Sequence, residues 1–158
     1  MATLVQLKER TNLLKNKSKF TKLVLRTAFK FEAYLVDLNQ IQLSNGLNIQ
    51  GQVIGQYAKA TEEIAKTEST REPKIAGDPF NFEWTGKLFD GMRIRLTAKA
   101  LIFYSTDPKA DLVTAKYGDI FSESVIFGLT QESLVDFMEN KFIPAMQQEI
   151  CVALGLTS

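Results

Sequence analysis

The chain has 158 residues, of which 45% are hydrophobic and 23% are charged, a balance typical of one soluble globular domain and incompatible with wholesale disorder. The single cysteine excludes an internal disulfide and a cysteine zinc cluster. No apolar run approaches the roughly 20 residues that cross a bilayer, and the first residues are charged where a signal peptide would be apolar. We therefore expect a protein made in the cytoplasm, without a membrane segment.

Positive charge is concentrated at the start of the chain, although the net charge is only +1. Residues 1–30 hold eight Lys and Arg residues against one acid, whereas the other 128 residues hold eleven against seventeen acids. Such a basic arm can bind phosphates or the acidic surface of another protein, including another copy of the chain, or it can remain a solvated leader. The candidate interface residues in this arm are Lys8, Arg10, Lys15, Lys17, Lys19 and Lys22.

Residues 1–20 lack a sustained apolar stripe, which predicts a short helix or flexible arm in front of a single domain over residues 21–158. Residues 22–43 carry apolar side chains at three- and four-residue steps, which predicts the first long helix. Ser18 or Thr21 can cap its start. Gly46, with the asparagine before it, can end it because both tolerate a left-handed conformation.

The segment after this helix is rich in turn signals. Residues 44–58 contain Gly46, Gly51 and Gly55 between apolar residues, which favours a loop or small hairpin; their spacing matches neither a phosphate-binding loop nor a dinucleotide fingerprint. Residues 61–66 predict a short helix with acids in its first turn. Residues 67–77 are polar and predict a mobile surface loop.

The stretch 78–105 is the part around which we expect the fold to form. Alternation in residues 80–84, FNFEW, predicts an aromatic strand, which breaks at Gly86 before a tight helical turn. Residues 92–97 alternate apolar and polar, and residues 101–105 follow as a third strand. The prediction is a small antiparallel sheet with one apolar face, covered by helices on either side.

The C-terminal part is predicted to hold a helical turn over residues 112–117, a last strand within 120–127, and a clear amphipathic helix after Thr130. Pro144 predicts a kink near residues 140–144, and Gly155 ends the helix. The fold class is therefore α+β, a small antiparallel sheet packed against a long N-terminal helix and a C-terminal helix. The predicted core includes Phe80, Phe82, Trp84, Leu88, Phe137 and Phe142.

Catalytic chemistry has little support in the sequence. The chain contains no histidine, the commonest general base and metal ligand, and Cys151 lies on an apolar helix typical of a buried structural thiol. Asp78 and Glu83 flank the aromatic segment, but nothing in their spacing forces them together. We expect no enzymatic role, cofactor or metal; a small enzyme using carboxylates with Tyr57 or Tyr117 would require a concave site with raised acid pKa values.

Aromatic and basic residues also occur together in the central stretch. Phe80, Phe82 and Trp84 near Arg93 and Arg95 have the composition of a single-strand nucleic-acid binder. Alternation places the rings on the covered face, so we interpret them as core. The two arginines fall on the polar face and form either a wet interface or solvated charge.

Four features in order resemble a known family. A long N-terminal helix precedes residues 51–61, GQVIGQYAKAT, and then residues 84–92, WTGKLFDGM. A strand pair and Tyr117 with Gly118 follow, before residues 126–130, IFGLT, which open the last helix. This order resembles the tailed-phage virion-morphogenesis and tail-completion proteins, small neck proteins that join head to tail, especially those of Bacteroidetes phages.

The resemblance implies a virion protein of the phage neck, without catalysis, that forms a ring around the channel through which DNA passes. The implied partners are other copies of the chain, portal or connector or tail-tube proteins, and DNA bound without sequence specificity. We expect residues 8–30 to meet an acidic neighbour or a portal-type partner, while the Arg93 and Arg95 face or residues 62–72 meet the adjoining copy. The alternative is a nucleic-acid-binding module that uses the basic arm and exposed arginines.

Overall fold

The computed structural model describes residues 4–111 and 126–156, without the side chains of residues 4–7, Arg10 and Leu13. It confirms the α+β class, with a helical majority around a two-stranded antiparallel sheet. The elements in the described ranges are α1 (Leu4–Lys15), α2 (Lys17–Phe29), α3 (Glu32–Ser44), α4 (Lys59–Thr67), α5 (Lys87–Asp90), β1 (Met92–Leu96), β2 (Leu101–Ser105), α6 (Gln131–Phe137), a π-helical turn (Met138–Phe142) and α7 (Ile143–Leu154).

The predicted long N-terminal helix is wrong as a single element, because it is split into α2 and α3. The break lies at Phe31, whose backbone (φ −103°, ψ 25°) leaves the helical region and whose ring packs edge-on to Phe137 at 5.8 Å. Asn16 starts α2, since its side chain accepts a hydrogen bond from the Lys19 amide at 3.1 Å. The predicted boundary between residues 20 and 21 therefore falls inside α2, and α1 lies beside α2 and α7.

The strand pair forms as predicted, with Met92 opposite Ser105 and Ile94 opposite Phe103. Met92 and Ile94 are buried, while the intervening arginine is exposed. The carboxylate of Glu32 accepts a hydrogen bond from the Ile94 amide at 3.0 Å. This contact holds β1 against the start of α3 and places the apolar sheet face over the helices.

The predicted aromatic strand over residues 80–84 is wrong. The segment is a loop that follows an isolated bridge between Gln56 and Pro79; the Phe80 amide donates to the Gly55 carbonyl at 3.0 Å, and Phe82 has a positive φ of 55°. The amide of Asn81 donates to the Tyr57 hydroxyl at 3.1 Å, and that hydroxyl donates to the Asn81 side-chain oxygen at 3.0 Å. The Tyr57 side chain therefore satisfies a backbone amide that a neighbouring strand would otherwise bind.

The core lies between α3, β1 and the C-terminal helices, with Leu43, Met92 and Ile126 almost fully buried. Of the residues predicted for the core, Phe137 and Phe142 are buried, and Phe80, Phe82 and Leu88 are partly buried against it. Trp84 is only half-buried, and its indole Nε1 donates to the Glu68 carboxylate at 2.8 Å.

The C-terminal helix begins and ends as predicted but is interrupted differently. Thr130 caps α6 by accepting a hydrogen bond from the Ser133 amide, and Gly155 ends α7 with φ 66°. The helix departs from α-geometry in the π turn, just before Pro144, which lies in the first turn of α7.

Two shorter predictions have mixed outcomes. The short helix predicted at 61–66 is confirmed as α4, and Leu47 bridges Val53 in the glycine-rich segment. The helical turn predicted at 112–117 lies outside the described residues, as does most of the predicted last strand. Ile126 and Phe127 are described and do not form a strand.

Candidate interaction surfaces

The first candidate surface is the basic face of α2. Between Glu9 and Glu32 the sequence contains no acidic residue, and the described cations of this stretch are exposed at Lys15, Lys17, Lys19, Lys22, Arg26 and Lys30. Among the described side chains of residues 8–30, Lys30 alone has an ion pair, with Glu149 of α7. Lys19, Lys22 and Arg26, which we call the basic face of α2, therefore project positive charge that the described residues do not neutralise.

A cleft of about 300 Å³ lies between this face and the β1–β2 turn. Ser18, Lys22 and Arg26 follow at four-residue steps along one row of α2, so they point the same way. Half-buried Leu25 and Leu96 provide apolar surface. The lining residues are Ser18, Lys22, Leu25, Arg26, Leu96, Thr97 and Ala98. Sequence analysis placed Lys22 and Arg26 in the basic segment of residues 8–30 and considered Ser18 only as a helix cap, although their four-residue spacing was a usable signal.

The structure does not bring Arg93 or Arg95 into this cleft. Both are exposed on the polar sheet face, as predicted. The Arg93 guanidinium donates to the Asp90 carbonyl at 3.0 Å, and that of Arg95 lies 5.9 Å from the ring centroid of Tyr104. Arg95 and Tyr104 line a separate, smaller cleft of about 210 Å³. The arginines are held locally on the sheet, apart from the basic face of α2.

The second candidate surface is a row of uncharged side chains on α7, which sequence reasoning missed. Glu149 is the one charged residue of α7, and it is occupied by Lys30. The exposed residues of this helix, which we call the uncharged face of α7, are Ile143, Pro144, Gln147, Gln148 and Val152. Ile143 is 43% exposed and Val152 56%. Exposed helix faces of soluble proteins normally carry charged side chains. A face with exposed apolar side chains and without charge is typical of a surface that contacts another molecule.

Two polar clusters elsewhere hold the fold together. The Tyr34 hydroxyl donates to the Asp136 carboxylate at 2.5 Å, and the Asn140 amide donates to the same carboxylate at 2.8 Å. The hydrogen bond to Asp136 raises the pKa of Tyr34 and lowers that of the carboxyl. This cluster joins α3 to α6 and the π turn.

The second cluster surrounds Lys74, which lies in the segment predicted to be a mobile surface loop but is only 3% exposed. Its ammonium group donates to the carbonyl of Glu72 at 2.7 Å and to that of Glu83 at 3.3 Å. It also lies 5.8 Å from the Tyr57 ring centroid. The lysine thus ties the loop to the aromatic segment, and burial lowers its pKa against the opposing field of the two glutamates.

Replacing Lys74 with methionine is expected to change how stability depends on pH. Because the folded pKa of Lys74 is lowered, the unfolded chain binds more protons between that value and the ordinary lysine pKa of about 10.4. The free energy of unfolding of the wild type should therefore rise through this window relative to Lys74→Met. Denaturant unfolding of both proteins from pH 8 to 11 measures the difference, and a difference that stays flat or falls contradicts the assignment.

Tyr57, which the sequence analysis considered for a small enzyme that uses carboxylates, has a structural role in the fold. Burial raises the pKa of Tyr57, and its hydroxyl is engaged by Asn81 in both directions. The residues lining the two clefts include neither Tyr57 nor the predicted carboxylates Asp78 and Glu83. Tyr117 lies outside the described residues.

Among the described residues, no three His, Cys, Asp or Glu side chains are placed to hold a metal ion. Within the same ranges, no helix has the length and apolar character needed to cross a membrane. Comparison with protein-family models, with curated proteins and with solved structures finds no match for this chain.

Proposed function

We propose that this chain is a non-enzymatic structural protein that assembles with copies of itself into a closed ring, in the manner of a tailed-phage neck protein. The observation that carries the proposal is the uncharged face of α7, where apolar and amide side chains are exposed without charge. Charged residues are depleted at the centres of protein–protein interfaces because desolvating them is unfavourable. Contact with another subunit would cover this face.

A ring requires a heterologous contact, in which one patch meets a different patch on the next subunit. The uncharged face of α7 supplies one apolar patch. Exposed Lys8 and Lys19, which do not line the cleft beside α2, supply a charged one, and exposed acids on another copy, such as Glu132 and Glu139, are suited to meet it. Complementary charge fixes the register of such a contact and speeds association.

The neck assignment comes from the order of sequence motifs, above all residues 51–61 and 84–92. In such a position the ring would join the head or portal to the tail, with portal, connector or tail-tube proteins as neighbours. DNA would pass through it without sequence-specific binding. Electron microscopy of the purified protein and of virions carrying a labelled copy tests this placement, which fails if no ring forms and no virion contains the chain.

Val152→Glu is expected to weaken self-association, because a carboxylate would be desolvated within the proposed contact. The change should weaken association by at least about tenfold, or about 1.4 kcal/mol. Mass measurement by light scattering over a concentration series reads this out. The wild type should give a defined oligomer and the variant mainly monomer.

The matched control is Ile41→Glu, since Ile41 is 59% exposed, compared with 56% for Val152, but lies on α3. It should leave the oligomer intact. A wild type that remains monomeric at high concentration, or a control that dissociates equally, removes the uncharged face of α7 as the assembly contact.

A nucleic-acid-binding module is the second candidate, favoured by the acid-free stretch between Glu9 and Glu32. Its affinity should fall steeply with salt, because phosphate neutralisation releases counterions. A mobility-shift series between 50 and 300 mM salt, about the range in which such contacts weaken strongly, checks it. No binding of DNA or RNA at the low end eliminates this candidate.

A further inference from the structure

We propose that the cleft between α2 and the β1–β2 turn binds a backbone phosphate of a nucleic acid, without regard to sequence. The inference deepens the proposed function, because it identifies the surface with which a ring subunit would contact passing DNA. The site itself can be tested on the isolated chain. Lys22 and Arg26 provide its charge, and Leu25 and Leu96 provide its apolar surface.

The charge of the cleft is the first argument. Lys22 and Arg26 lie one turn apart on α2, about 6 Å along the helix axis, close enough to contact one phosphate or two successive ones. Neither has an ion pair among the described residues, and none of the residues lining the cleft is acidic. Arginine in addition presents a planar fork that matches phosphate oxygens.

The other lining groups fit the rest of a nucleotide. The Ser18 hydroxyl can donate to a phosphate oxygen, since it lies one turn before Lys22. Thr97 is already occupied, because its hydroxyl accepts from the Ala100 amide at 2.9 Å and donates to the Ala100 carbonyl at 2.8 Å. These bonds fix the turn that forms the opposite wall. Leu25 and Leu96 offer a surface on which a sugar ring can pack.

The size of the cleft favours a nucleotide over a protein segment. Its volume is about 300 Å³, at the lower end of ligand-sized pockets. A helix from another subunit, about 10 Å across with its side chains, is too wide to enter it. Exposed Lys99 follows the lining residue Ala98 and extends positive charge along the turn. A strand running across the cleft would meet cations on both sides.

The test compares two double variants that remove equal charge from the basic segment. Lys22→Gln with Arg26→Gln removes the cations of the cleft, whereas Lys15→Gln with Lys17→Gln removes two exposed lysines that do not line it. Fluorescence anisotropy with a labelled random-sequence 20-base-pair duplex gives the affinity of each from 50 to 300 mM salt. All four substituted side chains are exposed, so circular dichroism should show the same folded state throughout.

The cleft variant is expected to bind at least about tenfold more weakly, with the salt slope reduced by about two, one for each lost phosphate contact. The control pair should lose no more than about threefold, since longer-range charge contributes less at these ionic strengths. Equal losses in both pairs, or no wild-type binding at 50 mM salt, overturn the proposal.

Backbone amide NMR shifts distinguish the source of the phosphate. A 5′-phosphorylated dinucleotide should shift the amides of residues 18–26 and 96–99 at lower concentration than inorganic phosphate does. Shifts with inorganic phosphate in a protein that does not bind the duplex overturn the nucleic-acid assignment. So does a cleft variant that changes the oligomer but retains duplex binding, because the cleft would then be a protein contact.

The outcomes also separate this inference from the ring proposal. A monomeric Val152→Glu protein should still bind the duplex through the cleft. If the wild type proves monomeric while the cleft variant loses duplex binding, the ring fails and the phosphate site stands.

Discussion

Gly46→Ala is expected to lower the free energy of unfolding by about 3 kcal/mol, through backbone strain combined with a steric clash. Gly46 follows α3 with φ 72°, a conformation that is unfavourable for residues with a Cβ atom. A Cβ there would lie 2.6 Å from Cβ of Pro79 and 2.8 Å from the carbonyl oxygen of Phe80. The second of these atoms belongs to the backbone, so the clash is relieved only by moving the chain.

Gly51→Ala is the matched control for this change. Gly51 has nearly the same φ, 75°, but nothing lies within 4 Å of the position its Cβ would occupy. Its free energy of unfolding should fall by only about 1 kcal/mol, the cost of placing alanine at a positive φ. Urea denaturation of the two variants therefore isolates the steric part. Equal losses would show that the approach of residues 79–80 to the end of α3 contributes nothing to stability.

Asn39→Leu is expected to lower the free energy of unfolding by about 2–4 kcal/mol, because two carbonyl groups lose their donor. Asn39 is fully buried, and its amide nitrogen donates to the carbonyls of Ile126 at 3.0 Å and Gly128 at 2.8 Å. These bonds also fix the amide orientation, since the reverse assignment would aim oxygen at two oxygens. The side-chain oxygen of Asn39 is buried and has no partner among the described residues. Leucine removes this unsatisfied oxygen, which offsets part of the free energy lost with the two hydrogen bonds.

Asn45→Leu provides the comparison. The Asn45 amide also donates to a carbonyl at 2.8 Å, that of Ile41, but the bond is local and exposed to water. Water replaces the lost donor there, so the expected cost is below about 1 kcal/mol. Thermal and urea unfolding of both variants check the contrast. A loss at Asn39 no larger than that at Asn45 would show that residues 126–128 are held to α3 by other contacts.

The elements predicted correctly are those whose cause is local. The alternation of Met92, Arg93, Ile94 and Arg95 predicts a strand with one solvent-exposed face, and β1 has buried Met92 and Ile94 and exposed Arg93 and Arg95. Thr130 caps its helix through its own neighbour, Ser133. Pattern reasoning reads such features because the atoms that stabilise them are a few residues apart.

The aromatic segment was wrong for the opposite reason. Alternating large apolar residues also occur in a loop that partly buries its rings, as Phe80 and Phe82 do. What excludes a strand is the positive φ of Phe82 and the engagement of Asn81 by Tyr57, 24 residues earlier in the chain. Neither leaves a periodic signal. The split between α2 and α3 is similar, since it accompanies a ring contact between Phe31 and Phe137.

Half of the proposed phosphate cleft was visible in the sequence, because Ser18, Lys22 and Arg26 share one helical row. Its other half, Leu96 at the end of β1 and Thr97 in the turn after it, lies at least seventy residues later, and only folding brings the two together. The uncharged face of α7 was readable in principle. Glu149 is the one charged residue between positions 143 and 154, and that scarcity of charge is visible in the sequence itself.

The π turn between α6 and α7 determines the direction in which the uncharged face of α7 points. Phe142 follows Phe137 by five positions, instead of the four that bring side chains to the same face of an α-helix, yet both rings are buried, 5.9 Å apart between centroids. The extra residue rotates everything after it by about 100° relative to a regular α-helix. If residues 138–142 instead formed a regular α-helical turn, Val152 would face a different side of the molecule, so the π turn sets the direction from which a proposed neighbouring subunit would approach.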